Sequence, residues 1–359
     1  MARALALARR GLYTTTPNPR VGCVIVKDQE VVGEGYHVSA GSAHAEVAAL
    51  EKAGAHSQGA TVYVTLEPCV HHGRTPPCTE ALVQAKVAKV IAAMADPNPL
   101  VSGKGIAFLR EAGIEALTGL METEARALNA GFILRMTAQR PFVRLKIAAS
   151  LDGRTALRDG ASQWITGEAA RRDAHHWRAR SCAVLTGINT VLSDDPQLTV
   201  RAIETSRQPW RVVLDSGLRM PLTAKLLNHD KVLILTAQTQ ATSEKEQALM
   251  ERGAEIARVP ASATKLDLAR VLEELARRGM NEVLVEAGAS LNGAFLDASL
   301  VDEMVIFMAP CVLGNEARAM FNLPSLHDMT QRREVEFIDV RQVGCDLRLT
   351  LRPKKCLPV

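Results

Sequence analysis

The chain lacks a long apolar run, a strong charge of either sign and any paired pattern of cysteines. No stretch of its 359 residues approaches the roughly 20 consecutive apolar residues that a membrane span requires. The net charge is only +4, and it is spread evenly: 14 basic against 12 acidic residues in positions 1–140, and 29 against 27 in positions 141–359. Neither half has the positive footprint of a nucleic-acid reader, so no nucleic-acid partner is expected. The seven cysteines, Cys23, Cys69, Cys78, Cys182, Cys311, Cys345 and Cys356, are scattered and odd in number. Arg3, Arg9 and Arg10 interrupt the apolar residues of Met1 to Leu12, and no cleavage site follows, so this segment reads as a first helix rather than a leader. Reduced thiols in a cytoplasmic protein are the expectation.

What the chain does have is a compact set of metal-binding residue types. Ala43-His44-Ala45-Glu46 is followed by Glu67-Pro68-Cys69, and Cys78 comes nine positions after Cys69. One histidine and two cysteines give zinc three protein ligands and leave the fourth tetrahedral position to water, the arrangement of a catalytic site. Such a metal brings the pKa of bound water towards about 7. Glu46, a carboxylate outside the ligand set, is the candidate proton shuttle. A histidine and glutamate separated by one residue, then Pro-Cys and a second cysteine, form the signature of zinc deaminases. One zinc per chain is expected.

Local patterning places these groups. Thr61 to Leu66 alternates β-branched and apolar residues and reads as a buried strand, with Pro68-Cys69 just past its end. Ala43 to Ala53 reads as a helix carrying His44 and Glu46 in its first turn. Thr79 to Ala85 reads as another, with Cys78 at its N-terminus, where the dipole favours a thiolate. Eight residues separate the cysteines, against two in the common signature. Within that long loop, His71 and Arg74 make a plausible clamp for a phosphorylated substrate.

At 359 residues the chain is long enough for two domains, and Gln139-Arg140-Pro141 is the natural boundary. Glu122 to Met136 reads as a closing helix, and Phe142 to Ala148 begins a new strand after a proline that disfavours helix continuation. Strands at Ala183–Leu185, Arg211–Leu214, Val232–Leu235 and Glu282–Glu286 alternate with helices at Glu244–Arg252 and Leu266–Arg278. The pattern predicts an α/β domain with a largely parallel sheet. In Val283 to Gly293, a strand runs through small residues into a helix, which exposes backbone N–H groups suited to a pyrophosphate, although the glycines do not form a full GxGxxG.

The run Thr16-Pro17-Asn18-Pro19-Arg20-Val21-Gly22-Cys23-Val24-Ile25-Val26, the His-Ala-Glu triplet, Pro68-Cys69 with His71-His72-Gly73-Arg74-Thr75-Pro76-Pro77-Cys78, and Asp96-Pro97-Asn98-Pro99 together resemble the bifunctional riboflavin-biosynthesis deaminase/reductases of bacteria. Ser150 to Arg154, Ser162 to Thr166 and Asp194 to Arg201 resemble the reductase half of that family. The resemblance covers essentially the whole chain. It implies an α/β protein in which a three-layer cytidine-deaminase-like domain, residues 1–140, precedes a dihydrofolate-reductase-like domain, residues 141–359. The first would replace an amino group of a diaminopyrimidinone ribosylamine 5'-phosphate with oxygen. The second would use NADPH to reduce the ribosyl group to a ribitylamino product.

By position, the resemblance assigns Asn18, His71, Arg74, Asp96 and Asn98 to the deaminase substrate pocket. It assigns Ala148, Trp164, Thr190, Asp194, Ser216 and the run Gly288, Ala289, Ser290, Leu291, Asn292, Gly293 and Ala294 to the cofactor. Ser162, Arg178, Leu198, Arg201 and Glu286 fall to the reductase substrate, with Arg178 and Arg201 as phosphate partners. A small phosphorylated pyrimidine is the expected ligand, and a homo-oligomer the expected assembly. A tRNA adenosine deaminase shares the histidine, glutamate and paired cysteines, but the eight-residue loop, the balanced charge and the second domain disfavour it.

Overall fold

The computed structural model describes residues 1–70, 76–99, 101–237, 244–262 and 265–354, and the chain divides into two units, Met1–Arg140 and Pro141–Val359. His71 and Arg74 lie outside the described residues.

In the first unit, strands β1 (Gly22–Lys27), β2 (Glu30–Tyr36), β3 (Thr61–Val64), β4 (Lys89–Ala92) and β5 (Glu115–Thr118) form one sheet in the order β2-β1-β3-β4-β5. The pairs made by β1 are antiparallel, and those from β3 to β5 are parallel. Alternating residues Ile25, Val62, Val64 and Val90 face helices α2 (Ala45–Ala53), α3 (Cys78–Gln84) and α4 (Lys104–Glu111). On the other side, Leu5 of α1 (Ala2–Arg9) and Ala125 of α5 (Glu122–Leu128) pack with Leu66 and Met94. Two helical layers thus enclose the sheet.

Three sequence expectations change here. His44 is not in the first turn of α2 but is its N-cap, with extended backbone. β3 stops at Val64: the Thr65 N–H still donates to the Gly22 carbonyl at 3.0 Å, but the Gly22 N–H goes to the Thr65 hydroxyl at 3.1 Å, so the ladder is left half made. The closing helix is two helices, α5 and α6 (Ala130–Ala138), broken at Asn129. The Asn129 side chain accepts the Arg20 N–H at 2.8 Å and donates to the Arg20 carbonyl at 2.9 Å. That tertiary pairing outcompetes an otherwise helical pattern.

The second unit adds β6 (Phe142–Ser150), β7 (Arg154–Ala156), β8 (Ala183–Gly187), β9 (Trp210–Leu214), β10 (Val232–Thr236), β11 (Ala254–Arg258), β12 (Ala261–Ser262), β13 (Lys265–Leu266), β14 (Glu282–Val285), β15 (Glu303–Ala309), β16 (Arg318–Ala319), β17 (Val335–Val343) and β18 (Asp346–Pro353). Its main sheet runs β11-β10-β9-β8-β14-β6-β15-β18-β17. All neighbours from β11 to β15 are parallel, while β18 and β17 add an antiparallel margin. Val212 and Leu214 face α10 (Leu268–Arg277) and α11 (Ala289–Asp297), whereas Val213 between them packs with α8 (Ile188–Asp194) and α9 (Glu244–Glu251). Ala170 and Ala174 of α7 (Glu168–Arg180) cover Val305 and Phe307 on that second side. The period-2 alternation accounts for a sheet buried on both faces. α10 starts at Leu268 rather than Leu266 because Asp267 caps it, accepting the N–H groups of Ala269 and Arg270. Among the described residues, no helix is long and apolar enough to cross a membrane.

Candidate active sites

His44, Cys69 and Cys78 converge although they come from three elements: the N-cap of α2, the segment beyond β3 and the first residue of α3. Their ligand atoms all lie within 4.8 Å of one another. His44 Nδ1 is 3.1 Å from Cys78 Sγ and 3.6 Å from Cys69 Sγ. A tetrahedral zinc with bonds of about 2.0–2.3 Å sets its ligands about 3.5–3.8 Å apart. One nitrogen and two sulfurs at these separations fit that ion. The Cys78 N–H points at Cys69 Sγ at 3.4 Å, and this backbone dipole at the start of α3 favours a thiolate. The Cys78 and His44 side chains both hold Cys69 well below the usual thiol range.

Glu46 lies in the first turn of α2 and is only 4% exposed. Burial, reinforced by the charge of Cys69, pushes its carboxyl up to about 7. A carboxyl in that range can both take and release a proton at neutral pH. His37 was not singled out by sequence. Its ring meets His44 edge-on at 5.4 Å between centroids, and its Nε2 is 3.0 Å from Asn18 Nδ2, so Asn18 is tied to the metal cluster. Asp96 and Asn98 occupy the loop after β4, where the Asn98 N–H binds the Asp96 carboxylate at 2.8 Å. Glu67 holds that loop to the Pro68-Cys69 corner, accepting from Asp96, Gly103, Gly105 and Ile106.

In the second unit, a cavity of about 1190 Å³ opens where the parallel strands end. Of the predicted reductase residues, Ala148, Ser162, Trp164, Arg178, Thr190, Asp194, Leu198, Arg201, Ser216 and Glu286 line it, with Gly288, Ala289, Ser290, Leu291 and Ala294. Asn292 and Gly293 do not. Asn292 is buried and donates to the carbonyls of Ala287 and Met320. A Cβ on Gly293 would meet the Asn322 carbonyl at 2.0 Å, so this glycine permits close backbone packing behind the cavity.

Gly288 differs from Gly293. Its φ is −80°, so no left-handed conformation requires glycine, and a Cβ there would meet nothing within 4 Å. Gly288 is the N-cap of α11 and supplies no side-chain cap, which leaves the first-turn N–H groups and the open space before them for a diphosphate. These features fit a dinucleotide.

Arg178 donates Nε to Glu286 at 2.6 Å, Nη2 to the same carboxylate at 2.9 Å and Nη1 to the Thr199 carbonyl at 3.0 Å. Burial alone would raise the Glu286 carboxyl, but the Arg178 guanidinium overrides it and holds the group at about 2. Arg178 is therefore engaged by Glu286, whereas Arg201 lines the same cavity with no carboxylate partner among the described residues. Lys146, absent from the sequence reading, also lines the cavity beside Glu286 and Arg178, and burial lowers its pKa. A lysine inside the apolar alternation of β6 was the available signal. Trp164 is 66% exposed, stacks under Arg171 at 4.6 Å and is not core.

The comparisons with known proteins match both units of the chain. Residues 1–94 match the model for the cytidine and deoxycytidylate deaminase zinc-binding region, and residues 141–349 match the RibD C-terminal domain. The chain is 48% identical over 358 residues to the riboflavin biosynthesis protein RibD of Escherichia coli, covering 98% of each. It superposes on the structure of Acinetobacter baumannii RibD (form 1) with a TM-score of 0.91, at 49% identity and with 99% and 98% of the two chains covered. The diaminohydroxyphosphoribosylaminopyrimidine deaminase/5-amino-6-(5-phosphoribosylamino)uracil reductase of Thermotoga maritima gives 0.86 at 35% identity, over 99% and 97%. The expected fold class holds: a cytidine-deaminase-like unit followed by a reductase unit resembling dihydrofolate reductase. With its two units matched and nearly its whole length covered, this chain belongs to the RibD family of bifunctional riboflavin-biosynthesis deaminase/reductases.

Proposed function

We propose that this chain hydrolytically deaminates a diaminopyrimidinone ribosylamine 5'-phosphate and then reduces the ribosyl group of the product, each step in its own unit. The observation that carries the first step is the placement of buried Glu46 two residues from His44, in a cluster whose donor atoms fit zinc. Zinc on His44, Cys69 and Cys78 supplies the Lewis acidity that makes water nucleophilic at neutral pH. Glu46 takes one proton from the attacking water and passes it to a ring nitrogen, then takes the second from the hydroxyl newly added to carbon and gives it to the departing amino group. The water oxygen enters, ammonia leaves and Glu46 returns to its starting state. Asn18, Asp96 and Asn98 orient the pyrimidine, and His71 and Arg74, outside the described residues, are assigned to the same pocket.

In the second unit, NADPH supplies the hydride. Glu286, kept anionic by Arg178, accepts hydrogen bonds from the opened ribosyl group rather than acting as an acid at neutral pH. Arg201 takes the substrate phosphate, since its charge is not already committed to a carboxylate. Ser162 and Leu198 complete that side of the cavity. The cofactor runs past Ala148, Trp164, Thr190, Asp194 and Ser216, with its diphosphate at Gly288 to Leu291. The reduced state that Cys69 and Cys78 need for metal binding supports a cytoplasmic location. Exposed Phe337 and Val340 on the edge strand β17 support a homo-oligomer.

Incubating purified protein with the diaminopyrimidinone substrate, with and without NADPH, and identifying the products by mass tests this reading. Without NADPH, an amino group is replaced by oxygen; with it, the product gains two hydrogens. A substrate recovered unchanged in both incubations would refute it.

A further inference from the structure

Arg201 stands on a strap of chain that belongs to no helix or strand. From Pro196 to Arg201 this strap makes no backbone–backbone hydrogen bond among the described residues. Leu198, Thr199 and Val200 are nonetheless buried, and buried main-chain groups need partners. Leu198 adds a second demand, because its φ of 54° lies in the left-handed region that a bulky side chain disfavours. Such backbone persists only where its surroundings fix it.

Side chains supply the missing bonds. From helix α7, Arg178 Nη1 donates to the Thr199 carbonyl at 3.0 Å, and His175 Nδ1 accepts the Arg201 N–H at 3.2 Å. Between them Gln208 takes both main-chain groups of Val200: its Oε1 accepts the N–H at 2.8 Å, and its Nε2 donates to the carbonyl at 2.8 Å. A primary amide carries a donor and an acceptor side by side, so Gln208 pairs with Val200 as a residue of a neighbouring strand would. Gln208 itself lies two residues before β9, whose place in the sheet is fixed by β8 and β10. Val200 is thereby tied to the sheet, and the next residue is Arg201.

Arg201 needs this support from its main chain. It lines the cavity, where burial and then the charge of Arg178 disfavour its protonated form, so the two guanidiniums repel each other. No carboxylate among the described residues pairs with it to draw it into place. Gln208 does not line the cavity and can act there only through the strap. On the proposed reading, on which this inference rests, Arg201 takes the 5'-phosphate of the reductase substrate. We propose that Gln208 is a positioning residue for that contact: by pairing with Val200 it sets the backbone from which Arg201 reaches the phosphate.

The test is steady-state reduction by the full-length protein of the deaminated substrate and of the same molecule without its 5'-phosphate. Wild type, Gln208→Ala, Arg201→Ala and the double variant are compared, with an NADPH titration to check the fold of the reductase unit. Gln208→Ala should raise KM for the phosphorylated substrate about 5- to 20-fold with kcat unchanged, the loss of two neutral hydrogen bonds felt at one binding contact. KM for the unphosphorylated substrate and NADPH affinity should stay as in wild type. On the Arg201→Ala background the substitution should add nothing. An equal rise for both substrates, a full rise repeated on the Arg201→Ala background, or an unchanged KM would each overturn the assignment. Gln208→Glu keeps the size of the side chain but only its acceptors, and should show the same selective rise; it decides the matter if Gln208→Ala loses NADPH binding. Wild-type KM in Arg201→Ala would sink the phosphate reading and this assignment with it. A raised KM in Arg201→Ala beside a wild-type KM in Gln208→Ala would sink this assignment alone.

Discussion

Arg178 and Glu286 meet as a two-pronged pair, with Nε and Nη2 of the arginine 2.6 and 2.9 Å from the two carboxylate oxygens and both side chains nearly buried, 13% and 11% exposed. Helix α7 and the end of strand β14 are thereby locked together at the cavity wall. Glu286→Gln leaves the arginine charge without its partner. We expect reductase turnover to fall about 10- to 100-fold, with NADPH affinity unchanged and the melting temperature of the reductase unit lowered. Turnover and cofactor affinity measured side by side check this, and a variant that loses cofactor affinity while turning over normally would reverse the assignment.

The two glycines of the α11 segment should respond differently. Gly288→Val places its Cβ in the space before the helix N-terminus, where it meets no protein atom within 4 Å. The protein should melt as wild type yet bind NADPH at least about tenfold more weakly. Gly293→Ala drives a Cβ against the Asn322 carbonyl and should cost about 1–3 kcal/mol of stability, as overpacking does. Thermal melts with NADPH titrations separate the two effects. Unaltered NADPH affinity in Gly288→Val would move the diphosphate elsewhere, towards Asp194 and Ser216.

Cys78→Ala removes one of three ligands. Zinc content should fall from about one per chain to near zero, with deamination abolished and reduction of the deaminated substrate retained. Elemental analysis decides it: full zinc occupancy in this variant would refute the ligand assignment.

Acid should weaken the reductase unit through His175. Burial, aided by the neighbouring Arg178, lowers its pKa to about 4 from an ordinary 6.5. The unfolded chain therefore binds the proton more readily than the folded one between those values. Stability is fully present above about 6.5 and is lost as pH falls towards 4. His175 Nδ1 accepts the Arg201 N–H at 3.2 Å, a role the asparagine carbonyl can take without titrating. His175→Asn should thus show a smaller drop in melting temperature between pH 7 and pH 5 than wild type. An identical drop in both would remove His175 as the cause.

The convergence of His44, Cys69 and Cys78 was legible because coordination chemistry restricts residue type and local order, and Glu46 belongs to the same short motif. The cavity was legible in part. Gly288 to Leu291 follow from a strand entering a helix through small residues. Asn292 and Gly293 belong to the same run, but whether a residue faces the cavity or the packing behind it depends on the helix phase and on Asn322, distant in sequence. His37 and Lys146 were missed for the same reason, since their neighbours come from other elements. The antiparallel margin of β17 and β18 was not anticipated, because β17 is exposed along most of its length and lacks the alternation of a half-buried strand.

The most direct test of two independent active sites in one chain is Glu46→Gln, which keeps the size of the side chain and all three zinc ligands. Zinc content and both half-reactions are measured on the same preparation. The account predicts about one zinc per chain, deamination reduced by about two to four orders of magnitude, and wild-type reduction of the deaminated substrate by NADPH. Deamination near the wild-type rate, or a parallel loss of reduction with zinc still bound, would contradict it.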